Sequence, residues 1–245
     1  MKNSAILQKA RNNRIISMVI IIILIGSILK LSSIAIKNTL IASRIKPLYK
    51  KNIVIDPGHG GIDGGTYFQD ILEKDINLQI GLRLREELIK RGGRVAMTRE
   101  IDESLERYVE DGSRHSRDLK SRVEIIRDNK ADLFISIHVN HIRDSRRMGP
   151  IIFYNEENRD SKKLGEYIQT SLNKLSEYEK MGISLDRVAL HGDYYILNNS
   201  PAPGVIIETG FISNEGDRKL LSKKGHQEEI ADLIVKGIIE YFNEN

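Results

Sequence analysis

Three side chains suited to metal or proton chemistry stand directly after runs of apolar, mostly β-branched residues. His59 follows Ile53-Val54-Ile55 through Asp56-Pro57-Gly58, His138 comes near the end of the run Leu133 to Val139, and Glu208 follows Val205-Ile206-Ile207. A carboxylate placed behind three residues of core type is costly unless it has a partner or a task. Glu73 precedes a helical pattern and is near enough in sequence to fold back beside His59. Two histidines and one carboxylate, with a fourth position left to water, form a ligand set typical of catalytic zinc. A second carboxylate outside that set could then take the proton of the water. Glu73 and Glu208 can divide those roles, and spacing alone does not say which takes which. Singly, each residue has a plainer role. A histidine at a strand end is usually a satisfied polar residue, and Glu73 suits the first turn of a helix.

Other chemistries are excluded. The chain has no cysteine, so thiolate metal sites, disulfide frameworks and cysteine nucleophiles are out. The glycines at 58, 60, 61, 64 and 65 match neither Gly-x-Gly-x-x-Gly nor the P-loop; they fit better as places where backbone approaches a metal site. His-Glu-x-x-His and Gly-x-Ser-x-Gly are both absent.

The elements that must position these residues alternate in type. Strand-like runs fall at 53–55, 95–97, 133–139, 151–154, 194–197 and 205–207. Helical periodicity runs through Ile76, Ile80, Leu84 and Leu88, through Leu119, Val123 and Ile126, through Leu164, Ile168 and Leu172, and from Ile230 to Tyr241. This alternation predicts one α/β domain, residues 52–245, with a largely parallel central sheet flanked by helices. In such sheets ligands collect at the carboxyl ends of strands, where His59, His138 and Glu208 all fall. The charged stretch Arg99 to Asp118 lacks periodicity and reads as a functional or solvated loop.

Charge separates the N-terminus from the rest. The 245 residues carry 38 Lys and Arg against 34 Asp and Glu, yet residues 1–51 hold ten bases and no acid, leaving 28 bases against all 34 acids beyond. The basic excess belongs to one terminal segment, so nucleic acid is not expected as a partner. Residues 15–36 are apolar apart from Ser17, Gly26, Ser27, Lys30, Ser32 and Ser33, about the length of a tilted transmembrane helix. We therefore expect residues 1–51 to comprise a basic N-terminus, a single-pass membrane anchor and a linker. A cleaved signal peptide is the rival reading.

Five ordered motifs resemble the zinc-dependent N-acetylmuramoyl-L-alanine amidases: Ile55-Asp56-Pro57-Gly58-His59-Gly60-Gly61, Glu73-Lys74, Thr98-Arg99, Ser136-Ile137-His138-Val139-Asn140 and Glu208-Thr209-Gly210-Phe211-Ile212-Ser213-Asn214. The resemblance implies that His59, Glu73 and His138 hold one zinc ion and that Glu208 is the catalytic acid and base. The implied reaction cleaves the amide joining muramic acid to the L-alanine of peptidoglycan stem peptides. The N-terminal segment and Ser113 to Val123 further resemble the sporulation and germination subgroup. That implies a role in spore-cortex maturation, preparing muramic δ-lactam formation, with the domain outside the cytoplasm, in the intermembrane space of the developing spore. An activating partner protein is compatible with this. Arg99, Asn140, His141 and His191 are expected to line the substrate cleft. The competing readings are another zinc peptidoglycan hydrolase, a peptidase or deacetylase, and a non-catalytic wall-binding protein.

Overall fold

The computed structural model describes residues 18, 20, 21, 24–33 and 46–244. The chain divides into two units, Met1–Ile45 and Lys46–Asn245. In the first, the described residues are helical and their apolar side chains, such as Ile25 and Leu29, are exposed. Among the described residues no helix is long and apolar enough to cross a membrane. The expected span 15–36 lies partly outside them. The second unit begins before Asn52. Leu48, placed in the linker by its sequence, is fully buried and its N–H donates to the Arg91 carbonyl at 3.1 Å.

In chain order the elements are β1 (Asn52–Pro57), β2 (Tyr67–Phe68), β3 (Ile71–Leu72), α1 (Glu73–Lys90), β4 (Arg94–Met97), a 3-10 turn (Glu106–Tyr108), α2 (Arg114–Asp128), β5 (Leu133–Asn140), β6 (Ile151–Tyr154), α3 (Arg159–Leu172), α4 (Ser176–Lys180), β7 (Leu190–His191), α5 (Tyr195–Asn199), β8 (Gly204–Phe211), α6 (Glu215–Leu221) and α7 (Lys224–Asn243). The six-stranded sheet has the order β4-β1-β5-β8-β6-β7. β4, β1, β5 and β8 are parallel, whereas β6 runs antiparallel to β8 and carries β7 parallel to itself. The chain moves outward from β1 to β4 and then crosses back to β5, so the order reverses between β1 and β5. That switch point is where an open α/β sheet leaves a crevice.

Strand alternation gives the sheet two unlike faces. Ile53, Ile55, Ile135, Ile137, Val139, Val205 and Ile207 belong to the large core with residues of α1, α3 and α7. Val54, Phe134 and Ile206 belong to a smaller cluster with Val123 and Ile126 of α2 and Ile196 and Leu197 of α5. Farther along the strands this second face becomes polar, with Asp56, Ser136, His138 and Glu208.

The sequence reading needs one correction of element type. Residues 194–197, expected as a strand, form the N-cap and start of α5, and the edge strand is Leu190–His191. A short apolar run suits helix and strand alike, and here burial of Ile196 and Leu197 decides. The stretch Arg99 to Asp118 is tied down rather than loose: Leu105 is fully buried, its N–H donates to Asp118 Oδ2 at 2.7 Å, and Gly61 N donates to Asp102 Oδ1 at 2.7 Å.

Candidate active site at the sheet switch point

β1 ends at Pro57, and the chain turns through His59 at φ 61°, Gly60 at 140° and Gly61 at 57°. The left-handed region is uncommon for a residue with a side chain, and here it swings the imidazole back over the strand ends. Paired backbone hydrogen bonds between Gly60 and Asp63 close the turn. They bring Asp63 Oδ2 to 2.9 Å from His59 Nδ1, which leaves Nε2 facing Glu73. A Cβ at Gly58 would lie 2.2 Å from His138 Cε1, and one at Gly65 would lie 2.5 Å from Glu73 Oε2. These two glycines let the loop close around the site.

The β2–β3 hairpin returns the chain so that α1 starts at Glu73, whose carboxylate is 2% exposed. Oε2 accepts from Thr66 N at 2.8 Å, and Oε1 accepts from Val139 N at 3.0 Å and Asn77 Nδ2 at 3.3 Å. His59 Nε2 and His138 Nδ1 converge on Oε1 at 3.2 and 3.0 Å. One ligand atom from each of His59, Glu73 and His138 lies within 4.8 Å of the others. Glu208 stands apart from that group. It is the register partner of His138 across the β5–β8 pair, and its Oε2 is buried without a hydrogen-bond partner.

The two carboxylates have opposite electrostatics. Burial disfavours the charge on Glu73, but hydrogen bonds and charge from His138 and then His59 outweigh it and hold the group well below the usual carboxylate range. Burial, reinforced by the charge of Glu73, pushes Glu208 up to about 7 despite the opposing pull of His138 and His59. For His59, burial is overcome by Glu73 and then Asp63, which raise it to about 9. Buried groups driven apart in this way mark a site suited to acid–base work.

Two buried arginines hold the loop in place. Arg122 pairs with Asp56 at 2.6 Å and Asp118 at 2.7 Å and donates to the carbonyls of Pro57 and His59. Arg99 is 2% exposed and donates to the carbonyls of Pro57, Gly58, Lys74 and Ile101. Arg99 therefore does not line the cleft as its sequence suggested; it satisfies carbonyls where β1 leaves the sheet. Asn140 shares the His138 face of β5, and His141 follows it, exposed, at the same end. His191 sits on the edge strand opposite Tyr154. The pocket beside His59 and His138 is walled there by Tyr194, Tyr195 and Ile196 instead. Sequence reasoning missed Asp63, Asn77, Arg122, Tyr194 and Tyr195. Only Asp63 left a signal, as the sole acid inside the glycine-rich loop.

Fold and site together define an α/β enzyme with a His-Glu-His cluster at the switch point and a separate buried carboxylate one strand away. Residues 53–240 match the N-acetylmuramoyl-L-alanine amidase family, and the chain belongs to that family. It is an N-acetylmuramoyl-L-alanine amidase. It is 38% identical over 200 residues to the germination-specific N-acetylmuramoyl-L-alanine amidase of Bacillus subtilis, covering 81% of this chain and 82% of that one. The structure of the CwlD amidase from Clostridioides difficile in complex with the GerS lipoprotein is similar at 39% identity and a TM-score of 0.73, covering 80% of this chain and all of that one. A second amidase structure, from Clostridium difficile 630, matches at 28% identity and a TM-score of 0.67, covering 80% of this chain and 98% of that one.

Proposed function

We propose that the chain is a zinc amidase of spore-cortex peptidoglycan in which His59, Glu73 and His138 hold the ion and Glu208 moves the proton. The observation that carries the division of roles is that Glu73 joins the two histidines within 4.8 Å while Glu208 does not. Two imidazoles and one carboxylate at a crevice suit zinc with an open position. Zinc held by His59, Glu73 and His138 would supply Lewis-acid chemistry, making water easier to deprotonate near neutral pH and the scissile carbonyl easier to attack.

The residues of the chain do the rest. Glu208, ionised, accepts a proton from the attacking water and delivers it to the leaving nitrogen of L-alanine. The C–N bond breaks, leaving a carboxylate on the lactyl group and a free amine on the stem peptide. Asp63 holds His59 by Nδ1 so that Nε2 points to the centre. Asn77 and the Val139 N–H fix Glu73 Oε1.

The germination-specific relative and the matching motifs support the cortex role. Peptidoglycan as substrate puts the domain outside the cytoplasm. The basic N-terminus and its apolar, exposed helical residues support a membrane tether. The Clostridioides difficile relative is solved with a lipoprotein, which supports a partner of that kind here. Incubation of the zinc-loaded chain with cortex peptidoglycan, read by mass spectrometry, is expected to release stem peptides beginning at L-alanine. Fragments cut within the stem, or released acetate, would overturn the bond assignment.

A further inference from the structure

Two hollows meet at His59. The first, about 210 Å³, also takes in His138 and is walled by Leu119 of α2 and by Tyr194, Tyr195 and Ile196 at the start of α5. The second, about 390 Å³, is bordered by Gly65, Ser104, Glu106 and Arg114. His59, Asp63, His115 and Asp118 belong to both, so the two form one cleft that passes the metal-ligand histidines. Its halves differ in chemistry. The first is aromatic, and the charges in its floor hold each other. Asp56 accepts from Thr98 and Ser136 at 2.7 Å each and pairs with Arg122 at 2.6 Å, and Arg122 pairs in turn with Asp118 at 2.7 Å. The second presents the charged side chains of Glu106 and Arg114.

Tyr194 is held as a platform. Its ring packs on Phe153 of β6 with 5.4 Å between centroids and 58° between planes. Gly192 makes room for it, since a Cβ there would lie 2.5 Å from Tyr194 Cε2. Tyr194 and Tyr195 nevertheless remain 36% and 40% exposed. Aromatic rings give large contact area at little entropic cost, and their negative faces attract the polarised C–H bonds on one side of a pyranose. The amide to be cleaved has a sugar on its acyl side and a peptide on its nitrogen side. Once its lactyl carboxyl is in amide linkage, N-acetylmuramic acid carries no charge, whereas a stem peptide carries carboxylates. An aromatic hollow whose charges are already paired suits the uncharged partner. We propose that Tyr194 and Tyr195 form the subsite for the muramic acid ring, on the acyl side of the cleaved bond.

The inference rests on the zinc-amidase reading of this site, and its test separates the two. The zinc-loaded full chain is assayed on an N-acetylmuramoyl peptide and on the same lactyl peptide without its sugar ring. The wild type is expected to prefer the muramoyl form ~10-fold or more in kcat/KM, and Tyr194→Ala to lose most of that preference. Tyr195→Ala should lose part of it, and Tyr194→Phe, which keeps the ring, should retain it. Taking the ratio of the two substrates within each variant cancels any loss from altered packing against Phe153. Equal kcat/KM for both forms in the wild type overturns the subsite and leaves the amidase standing. An undiminished preference in Tyr194→Ala also overturns it, and gives the ring a structural role. A Tyr194→Ala variant that changes instead the discrimination between long and short stem peptides overturns it as well, and assigns the hollow to the peptide. Release of no L-alanyl peptide from either form by the zinc-bound wild type overturns the assignment of the reaction to this site, and the subsite with it.

Discussion

The two faces of β5 differ by one residue of register and serve opposite purposes. Ile135, Ile137 and Val139 point into a core covered by the long helices α1, α3 and α7, and all three are at most 1% exposed. Phe134, Ser136, His138 and Asn140 point the other way, where α2 and the five-residue α5 leave the carboxyl end of the sheet uncovered. β1 and β8 repeat the pattern, with Ile55 against Asp56 and Ile207 against Glu208. The apolar face lets buried polar groups be held on the reverse of the same strands, because the strand positions are fixed from behind. A one-residue slip of β5 would exchange the faces and destroy core and site together.

The hardest test of that division is Glu208→Gln. If Glu208 only moves protons, the variant keeps zinc and loses turnover by roughly 10²–10⁴-fold. Zinc content by mass spectrometry beside peptide release checks it, and loss of the metal would place Glu208 among the ligands. The neighbours Ile137 and His138 sharpen the comparison. Ile137→Ala should cost about 2–5 kcal/mol of stability and leave zinc affinity near wild type. His138→Ala should abolish zinc binding. Denaturant unfolding and metal titration of both variants suffice, and weakened zinc binding in Ile137→Ala would show that the faces are not independent.

A pH effect follows with a definite sign. The folded pKa of Glu208 is about 7 against an ordinary 4.5, so the folded state binds this proton more tightly than the unfolded state. Its contribution is therefore neutral below pH 4.5, turns destabilising as pH rises to 7 and stays so above. In metal-free protein, Glu208→Gln should gain about 2 kcal/mol of stability at pH 8 relative to its gain at pH 5. An equal gain at both pH values would mean that the buried Oε2 has a partner.

Much of this was legible in residue order. Apolar runs marked β1, β5 and β8, and the structure brings the residues at their ends, His59, His138 and Glu208, to one end of the sheet. The role of Glu73 came from the family resemblance and not from spacing, because its carboxylate reaches the histidines only through a hairpin of two-residue strands that leaves no periodic trace. Strand direction was hidden too: nothing in Ile151-Ile152-Phe153-Tyr154 says that it runs antiparallel. The structural task of Arg99, expected in the cleft, and of Arg122 was hidden as well. They are buried because the carbonyls of residues 57–59 need donors once the chain leaves the sheet, and that need depends on tertiary geometry.

Asp63 lies between the legible and the hidden, and it yields the smallest effect. Its carboxylate at 2.9 Å from His59 Nδ1 fixes which nitrogen faces Glu73, in a loop where His59 already holds an uncommon φ. Asp63 Oδ1 also accepts from Gly65 N at 3.0 Å, so one side chain ties the ligand to the loop around it. Asp63→Asn keeps the shape and can still bond one ring nitrogen, but it lacks the charge that favours a proton on Nδ1 and raises the basicity of Nε2. Zinc affinity should fall about 10–100-fold, with kcat of the fully loaded enzyme changing much less. Asp63→Ala, which also frees the Gly65 N–H, should fall further. Chelator competition measures both. Unchanged affinity in Asp63→Ala would mean that the backbone of the 58–65 loop alone orients His59, and that the contrast between the two faces extends no farther than the strands.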